Sequence, residues 1–252
     1  MLKLLKYDMK RDLFTLLGGA AALVLGLLAI ELLGKQVGME RGAQAVLSLM
    51  GYTFFGILIL IAVCNSFRLN IRSVGRRLVP LGSLHYVGSA LLYGLLLNGV
   101  LLVIGGLHML YYQATGILQQ LEQSGSFTIN WDSSIPLPFG VSLIVLWGSL
   151  FLLTLLLLVM AMMESMRFKG RTLIAVAAVI GISILTSAVE NSFFGGAGTQ
   201  ALTGFQIESQ SELNLPTESL GAVLPAFLFE LVMSALFTWV TVKLINRSVR
   251  VE

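Results

Sequence analysis

"FRLNIRSVGRRLVPLGS", residues 67–83, carries four arginines and no acid, and it lies between two long apolar runs. Lys and Arg gather on the cytoplasmic side of membrane proteins, so a wholly basic connector between apolar runs reads as an inside loop. The rest of the chain agrees. Of 252 residues, 56% are hydrophobic and only 12% charged, about half the charge content of a soluble domain. Six runs approach or exceed the roughly 20 apolar residues that a spanning helix needs: 13–33, 45–65, 86–112, 139–163, 173–190 and 223–244. The expected fold is all-α, one polytopic domain over 1–252 with six transmembrane helices. The first run is too long for a signal peptide, and Glu31 and Leu32 stand where small residues would mark cleavage, so it reads as a retained helix.

Fourteen of the sixteen basic residues fall in four places. Lys3, Lys6, Lys10 and Arg11 open the chain, and Arg68, Arg72, Arg76 and Arg77 follow the second run. Arg167, Lys169 and Arg171 follow the fourth, and Lys243, Arg247 and Arg250 close the chain. The other connections hold only Lys35 and Arg41. This places both termini in the cytoplasm and the connections 113–138 and 191–222 outside, each able to carry a short surface helix. The basic residues sit at membrane borders, so a net charge of +3 does not signal nucleic acid. The single cysteine, Cys64, allows no disulfide framework within the chain.

Two segments are amphipathic. In residues 1–12 and just beyond, Leu2, Leu5, Met9 and Leu13 share one helical face and Lys3, Lys6 and Lys10 another, which suits a helix lying in the headgroup layer. In the basic island, Phe67, Ile71, Val74 and Leu78 alternate with an arginine ridge of Arg68, Arg72 and Arg76. The spacing predicts a short helix there, with Gly75 inside it and Pro80 at its end. A plain topology loop is the competing reading, since topology needs the charges but not their period.

This layout resembles the ABC-2-type transporter permeases. The resemblance rests on six helices with both ends inside, the basic amphipathic start "LLKYDMKRDLF", and "RSVGRRLVPLGSLHYVGSALL" between helices two and three, where a hydrophobic-Pro-small motif leads into helix three. It implies a permease subunit in a bacterial plasma membrane, moving its substrate outward, and the sparse polar lining of the spans suggests an amphipathic or hydrophobic cargo. It also implies a separate ATPase subunit carrying ATP and Mg, and a second permease chain, identical or a sister. Residues 66–84 would then be the ATPase-coupling segment, using Arg68, Arg72, Gly75, Arg76, Arg77 and Pro80. Arg167, Lys169 and Arg171 would form a second cytoplasmic contact. The chain has no G-x-x-x-x-G-K-[ST] loop, so it does not cradle ATP phosphates by that route, and no cofactor is expected in it.

Within the spans, ionisable groups mark functional candidates. Glu31, His108, Glu190 and Glu230 all fall in the outer half of the predicted topology and suggest one polar exit path; packing alone is the alternative, the favoured one for His108. Gly18, Ala22 and Gly26 form a small-residue stripe that lets another helix approach, either within the monomer or at a dimer seam. Catalysis is not expected. The Gly82–Ser83 and Gly88–Ser89 pairs lie about twenty helical residues, roughly 30 Å, from His108, which disfavours a serine-type intramembrane protease. H-E-x-x-H is absent, so no metal site is expected. A membrane scaffold or sensor without transport is the remaining alternative.

Overall fold

The computed structural model describes residues 2–72, 82–123, 137–166, 170–194, 206–207, 213–214 and 220–247. Seven helices are present among them: α1 (Leu2–Gln36), α2 (Arg41–Arg72), α3 (Ser83–Ala114), α4 (Ile117–Gln123), α5 (Leu137–Ser165), α6 (Arg171–Phe194) and α7 (Leu220–Arg247). A two-residue pair, β1 (Gln206–Ile207) with β2 (Leu213–Asn214), is antiparallel. All but α4 are long and apolar enough to cross a bilayer, so the six expected spans are present.

The spans of α1, α2 and α3 run to 33, 32 and 32 residues. At about 1.5 Å per residue each exceeds the ~30 Å hydrocarbon thickness by several turns. The surplus turns are the polar ones, and this changes the reading of the basic island. Residues 67–72 are not the start of a separate surface helix. They are the end of α2, which continues unbroken from its apolar span. Its inward face repeats every fourth residue through Ile59, Val63, Phe67 and Ile71, all essentially buried. Phe67 and Ile71 therefore pack in the protein core rather than holding a membrane surface. Residues 73–81, with Val74, Gly75, Arg76, Arg77, Leu78 and Pro80, lie outside the described residues. At the N-terminus, the basic segment likewise joins the first span as one helix, with Leu4 and Leu5 buried.

Helices α3 and α5 form the centre. Helix α3 touches α1, α2, α5 and α7, and α5 touches α2, α3, α6 and α7. One core joins Ile59, Val63 and Phe67 of α2 to Tyr93 of α3 and Leu153 of α5. A second joins Phe151, Leu155 and Leu158 of α5 to Phe237 of α7. Helix α5 is thus packed on both flanks, with α2 and α3 on one side and α6 and α7 on the other. Helix α4 lies in the 113–138 connection and tucks in Ile117 and Leu121.

The small-residue stripe turns the other way. Gly18, Ala22 and Gly26 are exposed, and a Cβ on either glycine would meet nothing within 4 Å. The close approaches use different glycines. A Cβ at Gly19 would come 2.8 Å from Phe55, and one at Gly94 would come 2.5 Å from Leu153.

Candidate functional site

Polar side chains collect at the two ends of the bundle. One end gathers the start of α1, the end of α2, the start of α3, the end of α5, the start of α6 and the end of α7. Cross-helix bonds fix that arrangement: Asn70 Nδ2 donates to Asp8 Oδ2 at 2.8 Å, Tyr93 Oη to Asp12 Oδ2 at 2.9 Å, and Ser83 Oγ to Asn246 Oδ1. This is the arginine-rich end.

Its most ordered feature is a carboxylate clamp. Arg68 and Arg72 are one turn apart on α2, so their guanidiniums reach the same point on α5. Arg68 Nε donates to Glu164 Oε1 at 2.9 Å and Arg72 Nε to Glu164 Oε2 at 2.7 Å. Arg171 at the start of α6 brings Nη1 to 4.0 Å from Oε2. The Glu164 side chain is only 2% exposed, while the arginines keep between 26% and 38%. One buried acid thus ties three helices together, and the arginines still show part of their surface to the aqueous side. Three of the sequence candidates, Arg68, Arg72 and Arg171, converge here, merging the two expected contacts. Gly75, Arg76, Arg77, Pro80, Arg167 and Lys169 lie outside the described residues.

At the far end, the four expected members of one polar path separate into two clusters on opposite flanks of the α3–α5 centre. On the first flank, Glu31 of α1 accepts from Tyr112 Oη at 2.7 Å and pairs with Arg41 Nη1 at 3.5 Å. Arg41 also donates to Gln44 Oε1 at 2.7 Å. His108 joins this cluster through Tyr52, with Oη 3.1 Å from Nδ1, and its ring packs edge-on against Tyr112 at 4.5 Å. These contacts hold the ends of α1, α2 and α3 together.

On the second flank, Glu190 of α6 and Glu230 of α7 lie within hydrogen-bonding reach of each other. Trp147 Nε1 of α5 donates to Glu230 Oε2. Both carboxyls are almost wholly buried, and Oε1 of each has no hydrogen-bond partner. Aromatic residues flank the acids along both helices, Phe194 four residues after Glu190 and Phe227 and Phe229 just before Glu230. Trp147 packs on Phe227 at 4.2 Å and Phe194 on Phe229 at 5.9 Å. Beside this pair a groove of about 650 Å³ runs along α5 and α7 towards the start of α3, lined by Trp147, Leu150, Leu231, Ser234, Thr238 and Trp239 among others.

Sequence reasoning missed Glu164, although it stands inside the segment "MESMRFKGRT". The signal was an acid one turn ahead of a basic cluster, but its partners lie more than 90 residues away along the chain. It also missed Trp147, Asp8 and Asn70. Among the described residues no group of three or more potential ligands is placed to hold a metal ion. No family model, curated protein or solved structure matches this chain.

Proposed function

We propose that the chain is the membrane-spanning permease subunit of an ATP-driven exporter, working with a separate ATPase subunit. The observation that carries this reading is the carboxylate clamp. A partner pushing on the arginine-rich end meets α2, α5 and α6 tied at Glu164, so its force reaches three helices together instead of bending one loop. Arginines that keep between 26% and 38% of their side-chain surface suit this role, because a planar guanidinium fork binds partner carboxylates bidentately. The lack of a phosphate-binding loop in the sequence makes a separate energy source necessary in this reading. The exposed Gly18, Ala22, Gly26 face is where a second permease chain would fit. Affinity purification from the native membrane in mild detergent tests the proposal: an ATP-binding subunit should accompany the wild type and be lost from Arg68→Glu/Arg72→Glu. Recovery of the chain without any ATPase would overturn the transporter and leave a scaffold or sensor.

The proposed orientation puts the arginine-rich end in the cytoplasm of a bacterial plasma membrane, following the charge split. With Cys64→Ser as background, Val37→Cys should react with an impermeant thiol reagent applied to intact cells, whereas Gly82→Cys should react only after permeabilisation. The opposite pattern would invert the topology.

A further inference from the structure

We propose that the far ends of α5, α6 and α7 form an intramembrane site for a lipophilic organic cation, with Glu190 and Glu230 holding its charged centre beside Trp147 and the adjoining groove taking its apolar body. This rests on the export reading and names the substrate class for it.

Glu190 and Glu230 are 1% and 3% exposed and within hydrogen-bonding reach of each other. A buried carboxylate needs a positive counterpart, a full set of hydrogen bonds or a bound proton, because removing its charge from water costs several kcal/mol. Here one indole N–H serves Glu230, and Oε1 of each residue has no hydrogen-bond partner. No Lys or Arg occurs between Leu78 and Met166 or between Thr172 and Val242. Helix α5 and the outer lengths of α6 and α7 therefore contain no cation of their own. Lys243 is thirteen residues along α7 from Glu230, about 20 Å at the helical rise. The contrast with the buried Glu31 at the same end is direct, since Glu31 has Arg41 and Tyr112.

The surroundings specify what kind of cation. A small inorganic ion would need several more oxygen ligands, whereas Glu230 is bonded by the Trp147 indole, Trp147 packs on Phe227, and Phe194, one turn after Glu190, packs on Phe229, next to Glu230. Carboxylates among aromatic faces suit a weakly hydrated organic cation, through charge pairing and cation–π attraction together. The groove belongs to the same site because Trp147 both lines it and donates to Glu230. Leu231 follows Glu230 directly, and Ser234, whose Oγ has no partner, follows one turn later on the same helix. A volume of about 650 Å³ lies in the range of small-molecule sites. Its position against the lipid lets the ligand enter sideways from the bilayer.

The test uses the purified full-length chain in nanodiscs of zwitterionic phosphatidylcholine, with tritiated tetraphenylphosphonium as probe. Wild-type protein should bind it saturably. Glu190→Gln and Glu230→Gln should each weaken binding at least tenfold, and the double variant should abolish it. Neutral triphenylmethane, similar in bulk, should not displace the probe. Ser234→Leu narrows the groove one turn from Glu230 while leaving both acids in place, and should also weaken binding at least tenfold. It decides the matter if the glutamine variants fail to fold. No saturable binding by the wild type, unchanged binding in the double glutamine variant or in Ser234→Leu, or displacement by triphenylmethane would each overturn the site. A carboxyl pair that holds only a proton gives the first of these results. No ATPase is present in the assay, so its failure is separate from failure of the co-purification experiment.

Discussion

Glu164→Ala is expected to cost about 3 kcal/mol of stability, the lower end of what breaking a buried ion pair costs when one partner is removed. The lower end applies because the arginines facing Glu164 stay partly exposed, between 26% and 38%, and water relieves part of their repulsion. Without the acid, Arg68 and Arg72 lose the partner that each holds at under 3 Å, and α5 is no longer pinned to α2. Arg68→Ala alone should cost far less, about 1 kcal/mol or below, since Arg72 still clamps the carboxylate and the lost arginine is part-exposed. Denaturant or thermal unfolding of the purified chain in a constant detergent separates the two variants. Glu164→Gln should fall between them, keeping a hydrogen-bond acceptor but losing the charge. If Glu164→Ala unfolds with the wild type, the clamp is not a structural tie, and a partner's push would not reach the three helices together.

That clamp marks where the sequence stops being informative. The six spans could be read directly, because a bilayer demands long apolar runs and little else competes with that signal. The polar ends were harder. In α2 the turns carrying Phe67, Arg68, Ile71 and Arg72 are still helix, but they lie beyond the apolar run that defined the span, so charge made them look like a separate element. The inward face of each helix was less legible still. A water-soluble helix shows its core side by contrast with a polar side. In α1, Leu23 and Leu27 are buried while Leu25, Leu28 and Leu32 are exposed, and both faces are apolar because lipid is as greasy as the core. Nothing local distinguishes Gly18 from Gly19, yet only Gly19 receives a neighbouring helix. For the acids, position along the chain placed Glu31, Glu190 and Glu230 at one end of the bundle. Their division into two flanks depends on which helices pack together, and Arg41 and Trp147, which set the character of each cluster, come from other helices.

The second large effect is expected at Gly94. Between helices in a bilayer there is no hydrophobic driving force to hold them, since lipid tails solvate leucine as well as another helix does. What remains is close van der Waals packing and hydrogen bonding, so positions that let backbones approach carry unusual weight. Helix α3 meets α5 at Gly94, where even a Cβ would lie 2.5 Å from Leu153 Cδ1 and 3.5 Å from Val63 Cγ2. Leu153 and Val63 are both fully buried, so the leucine has no open side to swing towards. Gly94→Ala should be mildly destabilising, because overpacking of roughly 1–3 kcal/mol is partly offset by about 1 kcal/mol of better helix propensity. Gly94→Leu has no such relief. It should cost about 3 kcal/mol or more and separate α3 from α5 at the centre of the bundle, read as a lowered unfolding midpoint or loss of monodisperse protein. Leu153→Ala opens the space that the new side chain needs, so the double variant should recover part of the loss, with a coupling of about 1–3 kcal/mol. Strictly additive losses would show that the two helices do not approach at this point. The control is Gly18→Leu on the exposed stripe of α1, where a Cβ meets nothing within 4 Å: the monomer should keep its stability to within about 0.5 kcal/mol. Any change should appear instead in self-association, and an unchanged oligomeric state in Gly18→Leu would remove this stripe as the seam for a second chain.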